Sequence, residues 1–263
     1  MSDTFQVASI SSPSRLVLGT GGFRSFDLLR STIDASASTI ATVALRRVEV
    51  SREGSLYDLL SEMRVQLLPN TAGCYSAAEA VQMAELAREA FGTDAVKLEV
   101  IGDDQTLLPD TTETLKAAEA LVNRGFEVWA YTSDDLIAAL RLEQAGCAAV
   151  MPLGAPIGTG LGISNPHAIA MICERLQVPV LLDAGLGTAS EAALAMELGC
   201  DAVLAASAIN RALDPVLMAS AFRDGVRAGY AAHRAGRIPA RLHAEASSPS
   251  MGRPDLFAET PLV

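Results

Sequence analysis

The sequence predicts a single (β/α)8 barrel, and two observations support this prediction: a repeated helix–glycine–strand pattern and a count of eight strands. A helical segment rich in Ala, Leu and Glu ends at a glycine, and a β-branched run follows within a few residues. Four copies are plain, at 92–96, 125–128, 146–150 and 199–203. A glycine at this point can adopt the left-handed conformation that ends a helix before a buried strand.

The pattern extends along the chain as alternating strands and helices. We predict strands near 15–20, 39–47, 64–69, 95–101, 127–132, 149–153, 178–183 and 201–206. We predict helices at about 25–37, 55–62, 76–91, 111–124, 134–145, 165–176, 189–198 and 214–235. Several helices begin at Ser, Thr, Asp or Asn, the residues that cap helix N-termini. Such alternation indicates parallel strands covered by helices, and eight strands select the closed barrel. The alternative, an open doubly wound sheet, requires one or two of these strands to be wrong.

The bulk properties fit one globular domain. The chain has 263 residues, half of them hydrophobic and few aromatic, which suits a packed core. We expect the barrel to occupy residues 1–246 and the segment 247–263, with its Ser, Pro and Gly, to form a flexible tail. The four cysteines are widely spaced without a Cys-x-x-Cys pair, so neither a zinc site nor a disulfide framework is indicated.

The net charge of −11 limits the expected partners. Nucleic acids and anionic membrane surfaces attract basic patches, so neither is expected as a general partner, and any phosphate must be held locally. No positively charged, apolar leader is visible, and no apolar stretch reaches the length that a membrane-spanning helix requires. We therefore expect a soluble cytoplasmic protein.

Lys97 stands in a strand pattern that places it inside the barrel. It is one of only two lysines, the other being Lys116. The run 95–101 alternates, so that Lys97 and Glu99 share one face and Val, Leu and Ile occupy the other. Alternate strand residues of a closed barrel point inward, and active sites lie where its strands end. A lysine there can attack a carbonyl and form an imine, provided that burial releases free amine near neutral pH.

Glu99 leaves two interpretations of this pair open. An ionised carboxylate stabilises the ammonium, so a reactive Lys97 requires either that substrate separates the two groups or that Glu99 is partly protonated, as a proton shuttle is. The other interpretation is a buried ion pair that fixes the register of the strand. In both interpretations, burying two ionisable groups costs folding free energy unless the groups pair with each other or take part in catalysis.

The end of the seventh strand is a candidate phosphate site. A buried strand ends there in Asp183, and Ala184 and Gly185 lead into a helix. Small residues expose backbone amides, and the positive end of a helix dipole favours anions. Ala206 and Ser207, after the eighth strand, are similarly small, and the loops after strands seven and eight of such barrels frequently bind phosphate. Alternatively, the glycines only permit tight turns and Asp183 caps the helix.

Two further loops are expected at the same rim. The loop 151–162 contains four glycines and two prolines, more than turns alone explain, and we expect it to line a ligand. Its glycines lack the spacing of a dinucleotide fingerprint, which disfavours a nicotinamide cofactor. Asn70 could donate a hydrogen bond at this rim or merely cap the next helix. The three histidines are expected to be non-catalytic.

Taken together, these motifs resemble the bacterial thiazole synthase of thiamin biosynthesis, from about Arg15 to Gly236. The resemblance is carried by blocks in order at 18–21, 43–47, 67–74, 96–101, 149–158, 183–185 and 195–199. It implies a barrel enzyme in which the lysine matching Lys97 forms an imine with the ketone of 1-deoxy-D-xylulose 5-phosphate. It also implies that the acids matching Glu99 and Asp183 move protons during the isomerisation that follows.

The same resemblance implies the partners. Sulfur arrives as a thiocarboxylate on the C-terminal glycine of a small ubiquitin-like carrier protein. Dehydroglycine, supplied by another enzyme, gives the nitrogen and the carboxylated carbon, and the product is a thiazole carboxylate phosphate. Gly158, Ala184 and Gly185 match positions that line the sugar phosphate. The resemblance implies no metal, nucleotide or other cofactor. It does imply a homo-oligomer, which we expect to be a homotetramer.

The sequence departs from the family pattern at two places on the rim. Family members commonly carry Gly-Lys after the first Gly-Thr, whereas this chain has Gly21-Gly22, and Arg24 is the candidate replacement for the missing cation. They usually carry Asn-Thr after the eighth strand, where this chain has Ala206-Ser207. Backbone N–H groups at these two residues do not depend on side-chain identity and could still bind phosphate.

Two other functions remain open from the sequence. One is an imine-forming barrel lyase or aldolase that acts on a different phosphosugar without a carrier protein. The other is a non-catalytic scaffold that docks the carrier protein.

Overall fold

The computed structural model describes residues 4–45 and 54–247, and within them eight parallel strands close into a barrel. In chain order the strands are β1 Phe5–Val7, β2 Ile10–Ser12, β3 Leu16–Gly19, β4 Ile40–Ala44, β5 Gln66–Asn70, β6 Ala95–Leu98, β7 Glu127–Thr132, β8 Ala149–Pro152, β9 Leu181–Leu182 and β10 Ala202–Ala205. The sheet runs β8-β7-β6-β5-β4-β3-β10-β9. Parallel bridges join Val150 to Val180 and Leu153 to Asp183, which connects β8 to β9. The predicted closed barrel is therefore confirmed over the open sheet.

Helices follow the barrel strands and cover the outside of the sheet. They are α1 Phe26–Ser36, α2 Leu56–Glu62, α3 Ala77–Phe91, α4 Thr111–Val122, α5 Leu136–Gln144, α6 Pro166–Arg175, α7 Ala189–Glu197, α8 Ser207–Asn210 and α9 Pro215–Ala235. Side chains cap the first turns of helices as the sequence indicates. The Ser76 side chain accepts a hydrogen bond from the Glu79 amide, and the Asp110 side chain accepts from the Thr112 and Glu113 amides. At the other end of α3, Gly92 takes the left-handed conformation, with φ of 65°.

The strand alternation sorts side chains between the barrel interior and the layer under the helices. Val96, Leu98 and Val100 join the large apolar cluster between sheet and helices. Lys97 and Glu99 point the other way and are each 5% exposed. The prediction that this lysine and this glutamate face the interior is confirmed, because the strand period of two leaves no other arrangement once the outer face is apolar.

A feature that the sequence patterns did not predict closes the bottom of the barrel. Strands β1 and β2 pair antiparallel as a short hairpin. Phe5, Val7 and Ile10 of the hairpin join the apolar cluster inside the barrel. The Phe5 ring meets the Trp129 ring edge-on, with centroids 6.3 Å apart. The hairpin therefore fills the end of the barrel opposite the strand C-termini.

Three other features differ from the sequence-based expectation or lie beyond the described residues: one short helix, the end of one strand and the C-terminal tail. The four-residue helix α8 was not predicted. The end of the predicted strand 39–47 and most of the expected tail 247–263 fall on residues outside the described ranges. Residues 237–247 are exposed and have no regular secondary structure. In 4–45 and 54–247, no helix is long and apolar enough to cross a membrane.

Candidate active site

A cavity of about 370 Å³ opens at the C-terminal ends of the barrel strands. Its walls come from the loops that follow most of the strands, as expected for the functional face of a (β/α)8 barrel. All eight site residues predicted from the sequence line it. These are Lys97, Glu99, Gly158, Asp183, Ala184, Gly185, Ala206 and Ser207.

Three charged side chains meet inside this cavity. The Lys97 Nζ lies 2.8 Å from Glu99 Oε1 and donates a hydrogen bond to it. The same nitrogen lies 2.6 Å from Asp183 Oδ2. Each of the three side chains is no more than 7% exposed. Lys97 and Glu99 come from β6 and the residues just after it, and Asp183 comes from the end of β9. Strands β7 and β8 lie between them around the barrel, so the closed sheet places one ammonium between two carboxylates.

The environment of Lys97 fixes its charge in the resting site. Burial by itself lowers the pKa of this amine, but the charges of Asp183 and Glu99 and their hydrogen bonds outweigh it, and the net effect raises the pKa above the ordinary value of 10.5. Burial therefore does not release free amine near neutral pH here, because Glu99 and Asp183 stabilise the ammonium, the effect expected of an ionised carboxylate beside Lys97. A proton must leave Lys97 before its nitrogen can act as a nucleophile, and the two carboxylates are the adjacent acceptors.

Tyr131 forms an apolar wall next to the charged cluster. Its ring centroid lies 5.4 Å from Lys97 Nζ, and its side chain packs with Ile101 and Leu153. Burial, with the charges of Asp183 and Glu99, raises the pKa of the Tyr131 hydroxyl well above its usual value, so the side chain stays neutral at physiological pH. The ring attracts the ammonium through its π face.

Glycines let the loops after β8 and β9 approach each other closely. Gly185 has φ of +82°, and a Cβ placed there would lie 2.3 Å from the Ala155 nitrogen. Ala184 takes a positive φ of 57° although it has a side chain. Because such backbone is strained for a residue other than glycine, its occurrence next to Asp183 indicates that the surrounding loops impose the shape of this turn.

The loop after β10 forms the opposite part of the rim. Ala206 packs so closely against Gly19 that a Cβ on the glycine would lie 2.5 Å from that of Ala206. Ser207 begins helix α8, whose first amides have no helical carbonyl to bond. Arg211 follows α8, and its Nη1 atom lies 3.2 Å from the position that a Cβ of Gly158 would occupy. No motif in the sequence pointed to Arg211, although a basic residue soon after a barrel strand is a usable signal.

Two other residues that the sequence placed at the rim, Asn70 and Arg24, have no identified role in the cavity. Asn70 lines the cavity, but its Oδ1 accepts from the Ala72 amide at 3.4 Å, and Ser76, not Asn70, caps the next helix. Arg24 is exposed, and no contact of its side chain places it in the cavity wall. In the part of the chain that the structure describes, no group of three His, Cys, Asp or Glu side chains is placed to hold a metal ion.

The site is a buried lysine between two carboxylates at the C-terminal rim of a (β/α)8 barrel, the face where the active sites of barrel enzymes lie. The family model described as "Thiazole biosynthesis protein ThiG" matches residues 6–249. The chain therefore belongs to the ThiG family of thiazole biosynthesis proteins.

Two solved structures are similar to the chain, the first at an identity that accords with the family and the second in fold. The chain is similar to one in the Amycolatopsis orientalis BexX/CysO complex, with 30% identity, a TM-score of 0.81 and coverage of 91% of this chain and 98% of that one. It is also similar to thiamine phosphate pyrophosphorylase from Pyrococcus furiosus, with 16% identity, a TM-score of 0.56 and coverage of 81% and 95%. At this lower identity the second likeness concerns the fold alone.

Proposed function

We propose that this protein is a thiazole synthase that holds its sugar phosphate substrate as an imine on Lys97. The observation that carries the proposal is the position of the Lys97 nitrogen, 2.8 Å from one carboxylate and 2.6 Å from another, inside a cavity large enough for a small phosphosugar. The substrate proposed is 1-deoxy-D-xylulose 5-phosphate, on the family membership given above.

The cluster can perform the proton transfers that imine formation requires. The Lys97 ammonium gives a proton to Asp183 or Glu99, and the free amine attacks the ketone carbon. Loss of the former carbonyl oxygen as water leaves a protonated imine, which increases the acidity of the adjacent carbon. A carboxylate on the same interior face then removes the proton from that carbon and returns it during the isomerisation.

The sulfur source in this proposal is a thiocarboxylated, ubiquitin-like carrier protein. A chain of the BexX/CysO complex, in which two proteins are bound to each other, shares 30% identity with this one. The proposed reaction transfers the carrier's sulfur to the lysine-bound sugar and condenses the product with dehydroglycine, supplied by another enzyme, to give the thiazole carboxylate phosphate. We also propose a homotetrameric, cytoplasmic enzyme, to be checked by light scattering and cell fractionation.

Borohydride trapping tests the central step. Reduction of the imine should attach the sugar phosphate to Lys97 as a stable secondary amine, detected by peptide mass mapping. The chain contains only two lysines, so Lys116, which is exposed, serves as the internal control. An unmodified Lys97 at saturating sugar phosphate contradicts the proposal.

A second candidate is a lysine-dependent enzyme that acts on a different phosphosugar. The observation in its favour is the altered rim, where Ala206 and Gly22 replace the polar residues usual in the family. Trapping with a series of ketose and aldose phosphates would distinguish the two, because the second candidate should trap another sugar more efficiently than deoxyxylulose phosphate. A scaffold without catalysis would retain its biological output after Lys97→Ala.

A further inference from the structure

We propose that Arg211 binds the phosphate group of the phosphosugar at the cavity rim, and that it supplies the cation missing from the loop after β3. This proposal deepens the proposed function and rests on it. Arg211 is the C-terminal cap of α8, and its backbone N–H bonds to the Ile209 and Ser207 carbonyls. The start of its side chain is therefore fixed relative to the loop after β10.

The guanidinium and a hydroxyl converge on one place. The position that a Cβ of Gly158 would occupy lies 3.2 Å from Arg211 Nη1, 3.8 Å from Nη2 and 3.8 Å from Ser207 Oγ. Gly158 and Ser207 both line the cavity. Because residue 158 has no side chain, the Arg211 guanidinium and the Ser207 hydroxyl, both from the segment after β10, face a common space beside the loop after β8 that a longer side chain would fill.

The donors of Arg211 are available for an anion. Arg211 is exposed, and within 4–45 and 54–247 its side chain makes no hydrogen bond or ion pair. A guanidinium presents planar N–H donors in a fork that matches phosphate oxygens. The other basic group at the cavity, Lys97, is already engaged by two carboxylates.

The charge inside the cavity favours a cation at the rim. With both carboxylates ionised, Lys97, Glu99 and Asp183 together carry one net negative charge. A phosphate monoester brings further negative charge into a site of low effective dielectric, where like charges repel strongly. A cation at the rim offsets this repulsion at the phosphate end of the substrate while the ketone end reaches Lys97.

The neighbouring residue explains why the cation is not in the loop after β3. The Asn210 side-chain amide donates a hydrogen bond to the Gly21 carbonyl. A Cβ at Gly22, whose φ is +87°, would lie 2.9 Å from the Asn210 Nδ2. Asn210 thus occupies the space beside the backbone of this loop, which leaves residue 22 without a side chain. The next residue along the chain, Arg211, carries the positive charge instead.

The concentration dependence of borohydride trapping tests the proposal. For Arg211→Ala, we expect the half-saturating concentration of deoxyxylulose phosphate to rise about 10- to 100-fold, the range for loss of a charged hydrogen-bonding group, with little change in the rate at saturation. Half-saturation by unphosphorylated deoxyxylulose should not change. Arg211→Lys should restore part of the affinity, and Arg141→Ala, at an exposed arginine on α5, should match the wild type.

Equal losses for both sugars in Arg211→Ala, or no loss for either, would overturn the role of Arg211. A larger phosphate-specific loss in Arg24→Ala would assign the phosphate to Arg24 and overturn it as well. If the wild type traps no sugar, the proposed function fails, but calorimetry with inorganic phosphate still tests Arg211. Phosphate should then bind the wild type more tightly than Arg211→Ala, and equal binding would contradict the inference.

Discussion

Lys97 is held as an ammonium by two carboxylates, and this one residue links stability to reactivity. The group has a folded-state pKa raised above the unfolded value of 10.5. Its stabilising contribution is therefore fully present below about pH 10.5 and is lost as the pH rises through the folded-state pKa. The same shift keeps the fraction of free amine very small at neutral pH.

Removal of one carboxylate should release the amine at lower pH. In Asp183→Asn, the pKa of Lys97 should fall, because the nearer of its two carboxylate partners, 2.6 Å away, is lost. NMR titration of isotope-labelled lysine is a direct measurement, since the chain gives only two lysine signals, which Lys116→Arg assigns. A wild-type midpoint near neutral pH, or no downward shift in Asp183→Asn, would contradict this prediction.

Removal of the amine should leave two buried carboxylates without their partner. We expect Lys97→Met to lower the free energy of unfolding at pH 8 by about 3–5 kcal/mol, the usual cost of breaking a buried ion pair. The loss should be smaller at pH 6, because unpaired buried carboxyls have raised pKa values and take up protons. Urea unfolding measures both effects.

The control for this substitution is the other lysine. Lys116 is exposed and pairs with Glu113 three residues away, so Lys116→Met should leave the unfolding midpoint unchanged. An equally small, pH-independent effect of Lys97→Met would show that the three charges do not depend on one another.

At this scale the sequence predicted part of the site. The strand period put Lys97 and Glu99 on one face, and the end of a strand put Asp183 at the rim. The 2.6 Å contact between Lys97 and Asp183 depends on how β6 and β9 face each other across the barrel. Spacing along a chain does not contain that distance, so the sequence left the charge state of Lys97 open, whereas the two carboxylates that the structure places beside it raise its pKa.

Among the elements, the pattern analysis missed the hairpin β1–β2. Its strands have three residues each, too few for a period of two to stand out from irregular chain. Helix α8, with four residues, was missed for the same reason. The eight barrel strands were found because each is followed, directly or in the case of β10 after α8, by a longer helix with recognisable caps and stop signals.

The hairpin should contribute measurably to stability through Phe5. We expect Phe5→Ala to cost about 3–5 kcal/mol, because a ring that is 2% exposed is replaced by a cavity next to Trp129. Trp129 is the only tryptophan of the chain, so its fluorescence reports on the packing of the hairpin directly. Phe26→Ala, at a phenylalanine that is 48% exposed, is the control. An unchanged emission spectrum and unfolding midpoint for Phe5→Ala would be inconsistent with this packing.

For the molecule as a whole, the thiols offer a test of the single barrel core. Cys74, Cys147 and Cys200 are buried, and Cys173 is partly exposed. Burial raises the pKa of Cys147 to about 12, so at pH 8 its thiolate fraction is very small even where reagent reaches it. We expect the three buried thiols to be alkylated only as fast as the barrel unfolds, and Cys173 to react first. Rapid native-state labelling of Cys147 would mean that the barrel opens locally there.

Phe5, Val7 and Ile10 of the hairpin close the floor of the barrel, so the cavity above Lys97 opens at the strand C-termini and not at the floor. In the proposed reaction, the sugar, the incoming sulfur and the heterocyclic product would therefore all use the opening at the strand C-termini. Product release would then have to follow departure of the carrier protein from that opening, so the closed floor would set the order of turnover.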